Sequence, residues 1–172
     1  MKIVFVGYMA SGKSAVAKNL QLKLNLDLID LDFYIEENEG MSVTEIFKKK
    51  GEVYYRKKES LYLEELLNKE ESFILSVGGG TPCLTGNMEL INSKAISVYL
   101  KASIDTIYTR IVHEKESRPL VANISDENLK EFIAKHLFER AVFYEQAHVL
   151  VVVNDKSIAE ISDEITKGLA LA

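Results

Sequence analysis

"KIVFVGYMASGKSAVAKNL", residues 2–20, passes from an apolar run through a glycine-punctuated loop into a helical pattern. Lys2–Val6 is short, apolar and rich in β-branched residues, so it reads as a buried strand. Val16, Leu20 and Leu24 recur at helical spacing, which places a helix over 13–24. Between the two stand Gly7, four residues, then Gly12-Lys13-Ser14. A strand, G-x-x-x-x-G-K-[ST] and a helix make a phosphate-binding loop in its expected context. Consecutive backbone N–H groups wrap an anion, and the helix N-terminus adds its partial positive charge. Lys13 supplies a point charge for β- and γ-phosphates, and Ser14 offers a hydroxyl to Mg²⁺. Ala10, Ser11, Gly12, Lys13, Ser14 and Ala15 are therefore the nucleotide-binding candidates, and ATP with Mg²⁺ is the expected ligand pair. Ala10 stands where a third glycine would fit. Alanine is tolerable there if its backbone stays in a region open to L-residues.

Outward from this loop, short apolar runs alternate with longer helical patterns. Strands are expected at Lys2–Val6, Leu28–Leu31, Phe73–Val77, Ala95–Leu100 and Val149–Val153. Helices are expected near 13–24, 52–68, 103–112, 126–146 and 157–169. Such alternation implies an α/β fold, a five-stranded parallel sheet between two helical layers. The strands are apolar throughout, as when both faces are covered. Ligands bind beyond the carboxyl ends of strands in such sheets. The polar signals fall there: "GYMASGKS" after the first strand, "DLD" at the end of the second, "GGG" after the third. Two segments interrupt the alternation. Phe33–Leu67 is too long for a simple crossover, and 112–125 is polar and carries a proline. Both read as excursions over the ligand edge of one domain spanning 1–172.

Asp30 and Asp32 close the second strand, two residues apart and so on one side of it. Two adjacent carboxylates raise each other's pKa unless a cation or a hydroxylated substrate lies between them. Asp30 is assigned to the outer shell of Mg²⁺ and Asp32 to an acceptor hydroxyl. Asp32 could also cap the helical pattern that follows it. Gly78, Gly79 and Gly80 cost backbone entropy unless unusual angles or close ligand approach require them. Arg56 falls on a helical stripe with Val53, Leu63 and Leu67. Arg140 falls on the stripe of Leu129, Phe132, Ile133, Leu137 and Ala141. An arginine on such a face must find an anion. Two of them from two helices could clamp one carboxylate or phosphate, or each could pair with an internal Asp or Glu. Arg118, in "SRPL", suits a lid that steadies the transferring phosphoryl group. Arg110, at the end of a helix, could stack on adenine.

Composition narrows the classes. With 172 residues, 47% hydrophobic and 27% charged, the chain has a globular composition and the length for one buried core. A net charge of −5 argues against general nucleic-acid binding, which needs a basic surface. One cysteine, Cys83, permits neither an internal disulfide nor a cysteine-built zinc site, so, with no contrary signal, a cytoplasmic protein is expected. No apolar run is long enough to span a membrane. "MKIVFVGYMA" mimics a short signal peptide, but cleavage there would remove the strand and loop that the next residues need.

The ordered set "GYMASGKS", "DLD", "GEVYYRKKE", "SVGGGT", "SRPL" and "ERAVFY" resembles the shikimate kinase family of P-loop, nucleoside-monophosphate-kinase-like enzymes. The resemblance covers nearly the whole chain. It implies phosphoryl transfer from ATP to the 3-hydroxyl of shikimate, in aromatic amino-acid biosynthesis, by a monomer with no nucleic-acid or membrane partner. It also implies a substrate-binding excursion at 33–61 and a lid at 112–125. By position, Lys13, Asp32 and Arg118 would be catalytic. Asp32, Arg56, Gly78, Gly79, Gly80 and Arg140 would bind shikimate. The loop residues with Arg110 and Arg118 would hold ATP, and Ser14 would ligate Mg²⁺ with Asp30 behind it. The chain departs from the family pattern at Ala10, usually Gly, and at Ala15, usually Thr. A gluconate kinase or another small-molecule P-loop kinase is the alternative enzyme. A nucleotide-binding module without catalysis is the alternative outside enzymology.

Overall fold

The computed structural model describes residues 1–114 and 121–170. Five strands form one parallel sheet: β1 Lys2–Val6, β2 Asp27–Asp30, β3 Phe73–Ser76, β4 Ile96–Lys101 and β5 Val149–Val152. Their order across the sheet is β2-β3-β1-β4-β5. Eight helices connect them among the described residues: α1 Lys13–Leu24, α2 Leu31–Glu39, α3 Val43–Lys50, α4 Glu52–Asn68, α5 Asn87–Lys94, α6 Ile104–Glu114, α7 Asp126–Tyr144 and α8 Ile158–Leu169. A single 3₁₀ turn, Thr81–Cys83, follows β3. The architecture is the expected α/β sandwich of helices around a parallel sheet. The regular strands and the longer helices fall within a few residues of their expected places.

Burial along the sheet follows strand position. Ile3, Val4, Phe5 and Val6 of central β1 are wholly inaccessible, and every residue of β3 is buried. The expectation that all strands are apolar on both faces fails at the edges. β5 alternates, with Leu150 and Val152 exposed and Val149 and Val151 buried. β5 pairs with β4 alone and packs on α8, so one face of it meets water. Register brings the strand ends level: Asp30 stands opposite Ser76, and Ser76 opposite Phe5. The segments after β1, β2 and β3 therefore leave the sheet at one edge.

Of the short helices, α2 was read only as a helical pattern of unset length after Asp32, while α3 and α5 were not read from the sequence pattern. α2 and α3, with the start of α4, make up the 33–61 excursion. They are tied together by Glu39. Its carboxylate, nearly inaccessible, accepts from Lys58 Nζ (2.8 Å), Tyr54 Oη (2.6 Å), Tyr62 Oη (2.8 Å) and Lys50 Nζ (3.3 Å). Hydrogen bonds from Lys58 first, then Tyr54, hold its pKa down to about 2. α3 opens with a reciprocal cap between Ser42 and Glu45. Of the expected 112–125 excursion, residues 112–114 continue α6, which packs against α7. Arg118 lies outside the described residues.

Candidate active site

The loop after β1 is shaped by backbone constraints. Gly7 has φ +142°, and a Cβ there would stand 3.0 Å from the Leu100 carbonyl oxygen and 3.2 Å from Ser11 Oγ. Gly12, at φ +100°, precedes α1 with no side-chain cap, and the first turn of α1 carries no acid. The helix thus presents uncapped N–H groups and an unopposed dipole to the loop. Lys13 Nζ donates to the carbonyls of Gly7 (2.8 Å) and Tyr8 (2.9 Å), which holds its charge over the loop. Ser11 Oγ is buried and bonds to nothing among the described residues, an uncommon state for a hydroxyl. These features fit a phosphate chain. Ser14 and Ala15 are exposed at the start of α1.

Ala10 does not meet the condition for a strain-free alanine. Its φ is +59°, in the left-handed region that L-residues enter at a cost of roughly 1 kcal/mol. Its carbonyl accepts from Arg110 Nη1 at 2.9 Å, and a Cβ on Gly12 would lie 3.6 Å from the same nitrogen. Arg110, half-buried on α6, therefore fastens the loop backbone.

The two aspartates are arranged differently from a strand pair. β2 stops at Asp30, and Asp32 lies in the first turn of α2. Asp30, not Asp32, is the cap: its Oδ1 accepts from the backbone N–H of Asp32 (3.0 Å) and Phe33 (3.2 Å). Asp32 accepts from Tyr55 Oη at 2.6 Å. Burial raises the Asp32 pKa most, and the Asp30 charge raises it further. The Tyr55 hydrogen bond, Arg56 and Lys13 oppose both. Mutual repulsion was the expected main cause, and desolvation exceeds it. Ser14 and Asp30 offer hard oxygen donors, the type Mg²⁺ takes while keeping several waters. No cluster of three His, Cys, Asp or Glu side chains suited to a metal occurs among the described residues.

Gly78, Gly79 and Gly80 line a close-packed meeting point, and a Cβ would be tight at Gly78 and Gly80 while making ordinary contact at Gly79. None has a left-handed φ. A Cβ on Gly78 would lie 3.4 Å from Glu59 Oε1 and 3.8 Å from Asp32 Oδ1. On Gly79 it would lie 3.4 Å from the Gly7 carbonyl, 3.5 Å from Tyr144 Oη and 3.6 Å from Arg140 Nη1. On Gly80 it would meet Arg56 Nη1 at 3.0 Å. The three glycines thus gather the residues singled out on four separate segments.

The two arginines resolve differently. Arg56 pairs with an internal acid, donating to Glu59 Oε2 at 2.7 Å, and more weakly to Glu52. Glu59 is 0% exposed, and its other oxygen accepts from Thr81 Oγ1 at 2.5 Å. Arg140, half-buried, forms no salt bridge among the described residues. It stands beside Tyr144, whose hydroxyl donates to the Gly79 carbonyl at 2.5 Å. Val53, placed on the inner stripe with Arg56, is 72% exposed and lines an open cleft with Glu52, Lys57, Ser60 and Leu84.

Sequence reasoning missed Glu59, Thr81, Tyr55 and Tyr144. Glu59 had a signal: an acid three residues after Arg56 on one helix face. Thr81 directly follows the glycines. The tyrosines gave none, since phenols usually serve packing. Tyr8 is buried in the core, its hydroxyl 2.9 Å from His136 Nδ1. Cys83, treated as a small filler, is half-buried with Sγ 3.8 Å from the Gly79 carbonyl.

Comparison with known proteins identifies the family. The shikimate kinase family model matches residues 9–170. A shikimate kinase from Flavobacterium johnsoniae is 47% identical over 170 residues, covering 98% of this chain and 99% of its own. The crystal structure of shikimate kinase from Bacteroides thetaiotaomicron superposes with a TM-score of 0.90 at 34% identity, covering 99% of this chain and 98% of that one. Shikimate kinase from Acinetobacter baumannii, solved in complex with shikimate, gives 0.85 at 30% identity, covering 99% and 92%.

Proposed function

The chain belongs to the shikimate kinase family, and on that premise we propose how its own residues carry the reaction. The activity is an ATP-dependent transfer of the γ-phosphoryl group to the 3-hydroxyl of shikimate, a step of aromatic amino-acid biosynthesis. Ser14, with Asp30 behind it, would hold Mg²⁺, which would neutralise phosphate charge. One observation supports the placement most: Gly79 sits against both the Gly7 carbonyl of the phosphate loop and the guanidinium of Arg140. The phosphate end and the acid-binding end meet there.

In this reading the loop from Ala10 to Ala15 wraps the phosphates, and Lys13 places its charge on the β- and γ-oxygens. Arg110 holds the loop closed at Ala10. Arg56 and Arg140 bind the substrate carboxylate over the floor of Gly78, Gly79 and Gly80. Glu59 fixes the direction of Arg56 through the 2.7 Å pair, and Thr81 fixes Glu59. With its carboxylate held, the substrate turns its hydroxyl to Asp32, which accepts that hydroxyl's hydrogen bond and aims its oxygen at phosphorus. Phosphoryl transfer needs chiefly positioning and charge stabilisation, so orientation by Asp32 is sufficient. Arg118 and the 112–125 lid belong to the proposal on their sequence motif.

ADP release with shikimate, gluconate and AMP as acceptors tests the reading. Release with shikimate alone is expected. Release with gluconate alone, or with none of the three, would contradict it. We further propose a cytoplasmic monomer, since ATP is made and spent in that compartment and the Gly79 meeting point is built within one chain. A solution mass near 19.4 kDa checks the monomer.

A further inference from the structure

Asp32 is anchored through one of its two oxygens. Tyr55 Oη donates to Oδ1 at 2.6 Å, within the short range of O–H···O⁻ bonds. Among the described residues no side chain or backbone group bonds Oδ2. A carboxylate at the start of a helix turns freely about its last torsion, which is broad and roughly two-fold. Fixing one oxygen from the side removes that freedom and leaves the second presented in one direction.

Tyr55 is itself held. It lies on α4, 4% exposed, with the Phe47 ring 4.7 Å away and tilted by 39°. The guanidinium carbon of Arg56 lies 5.2 Å from its ring centroid, and Arg56 is fixed in turn by Glu59. Burial beside Asp32 and Glu59 pushes the phenol pKa far up, so the hydroxyl stays a donor. The neighbouring Tyr54 turns to Glu39 instead, so the paired tyrosines of "VYYRKKE" serve two different carboxylates.

We propose that Tyr55 is a positioning residue for phosphoryl transfer: its hydroxyl holds Asp32 Oδ1 so that Oδ2 meets the acceptor hydroxyl. This rests on the reading that Asp32 contacts that hydroxyl. Tyr55 touches no substrate atom through its oxygen in this account. It acts through Asp32, on the rate of transfer more than on the binding of either substrate. Because the same residue packs against Arg56, ring and hydroxyl have separate duties, and Tyr55→Phe removes only the second.

The experiment is single-turnover and steady-state kinetics of the full chain, Tyr55→Phe, Asp32→Ala and the double variant. Losing a hydrogen bond to a charged group slows transfer about tenfold or more. That fall is expected in Tyr55→Phe, with KM for ATP and shikimate within about twofold of the parent. In the Asp32→Ala background Tyr55→Phe is expected to change nothing further. A parental rate in Tyr55→Phe, with Asp32→Ala slowed, overturns the proposal and leaves the Asp32 reading standing. An equal slowing by Tyr55→Phe in both backgrounds also overturns it. A parental rate in Asp32→Ala removes the Asp32 reading and the proposal with it. Tyr55→Leu serves as a second hydroxyl-free variant if Tyr55→Phe does not melt cooperatively.

Discussion

The phosphate-loop motif and the glycine floor with Arg56 and Arg140 sit at the same sheet edge and are built on opposite plans. The loop works through backbone: uncapped N–H groups, glycines at positive φ, and carbonyls that hold Lys13. The floor works through side chains carried in from α2, α4, α7 and the turn after β3. A backbone device is local in sequence, so eight contiguous residues suffice for it. A side-chain device is dispersed, and its parts are defined only by their meeting. The difference also sets how each end should fail under substitution.

Gly7→Ala should do the most damage. It adds a Cβ at φ +142° and 3.0 Å from a carbonyl of β4, which cannot swing away. A stability loss of about 2 kcal/mol or more and a clear loss of ATP affinity are expected, read by thermal melting and ATP titration. Gly80→Ala is the matching lesion at the other end. Its Cβ meets the Arg56 guanidinium at 3.0 and 3.2 Å, the far end of a flexible side chain. The fold should survive, the KM for shikimate should rise about tenfold, and the KM for ATP should hold. If Gly80→Ala weakened ATP binding as much, the two ends would not be separable.

The Glu39 hub that ties α2 to α4 provides a pH test. Its folded pKa is about 2, below the ordinary glutamate value of 4.5. The folded state therefore favours the charged form. The resulting stability is fully present above about 4.5 and is lost as pH falls toward 2. Glu39→Gln should lower unfolding free energy by about 1–3 kcal/mol at pH 7, and the gap to the parent should shrink at pH 3. A gap independent of pH would assign Glu39 to packing alone. Ala10→Gly should have the smallest effect. It relieves a left-handed alanine worth roughly 1 kcal/mol, changes ATP affinity slightly, and leaves shikimate recognition as it was.

The same contrast governs what the sequence made legible. β1, the loop and α1 were placed because strand, glycine spacing and helical period coincide within 20 residues. The arginines on semi-apolar faces pointed to an anion. Their fates diverged: Arg56 had an internal partner, while Arg140 stands beside the glycine floor. Asp32 was assigned the right neighbourhood for the wrong geometric reason, since β2 ends two residues before it. Asp30 took the capping role because only it precedes the helix. Tyr55 and Tyr144 were invisible, because nothing in a phenol's sequence position says whether its hydroxyl has a partner. α3 and α5 escaped, and α2 was read only as a pattern of unset length, because each spans only eight or nine residues, two turns or so, too short for periodicity to stand out.

Arg140 gives the most direct test of an acid-binding end separate from the phosphate end. Calorimetric titration of Arg140→Ala with shikimate and, separately, with ATP reads both ends in one variant. Loss of a charge-assisted contact to the carboxylate should weaken shikimate binding by about 100-fold, with ATP affinity kept. Equal losses for both ligands would make Arg140 a structural residue and would contradict the account.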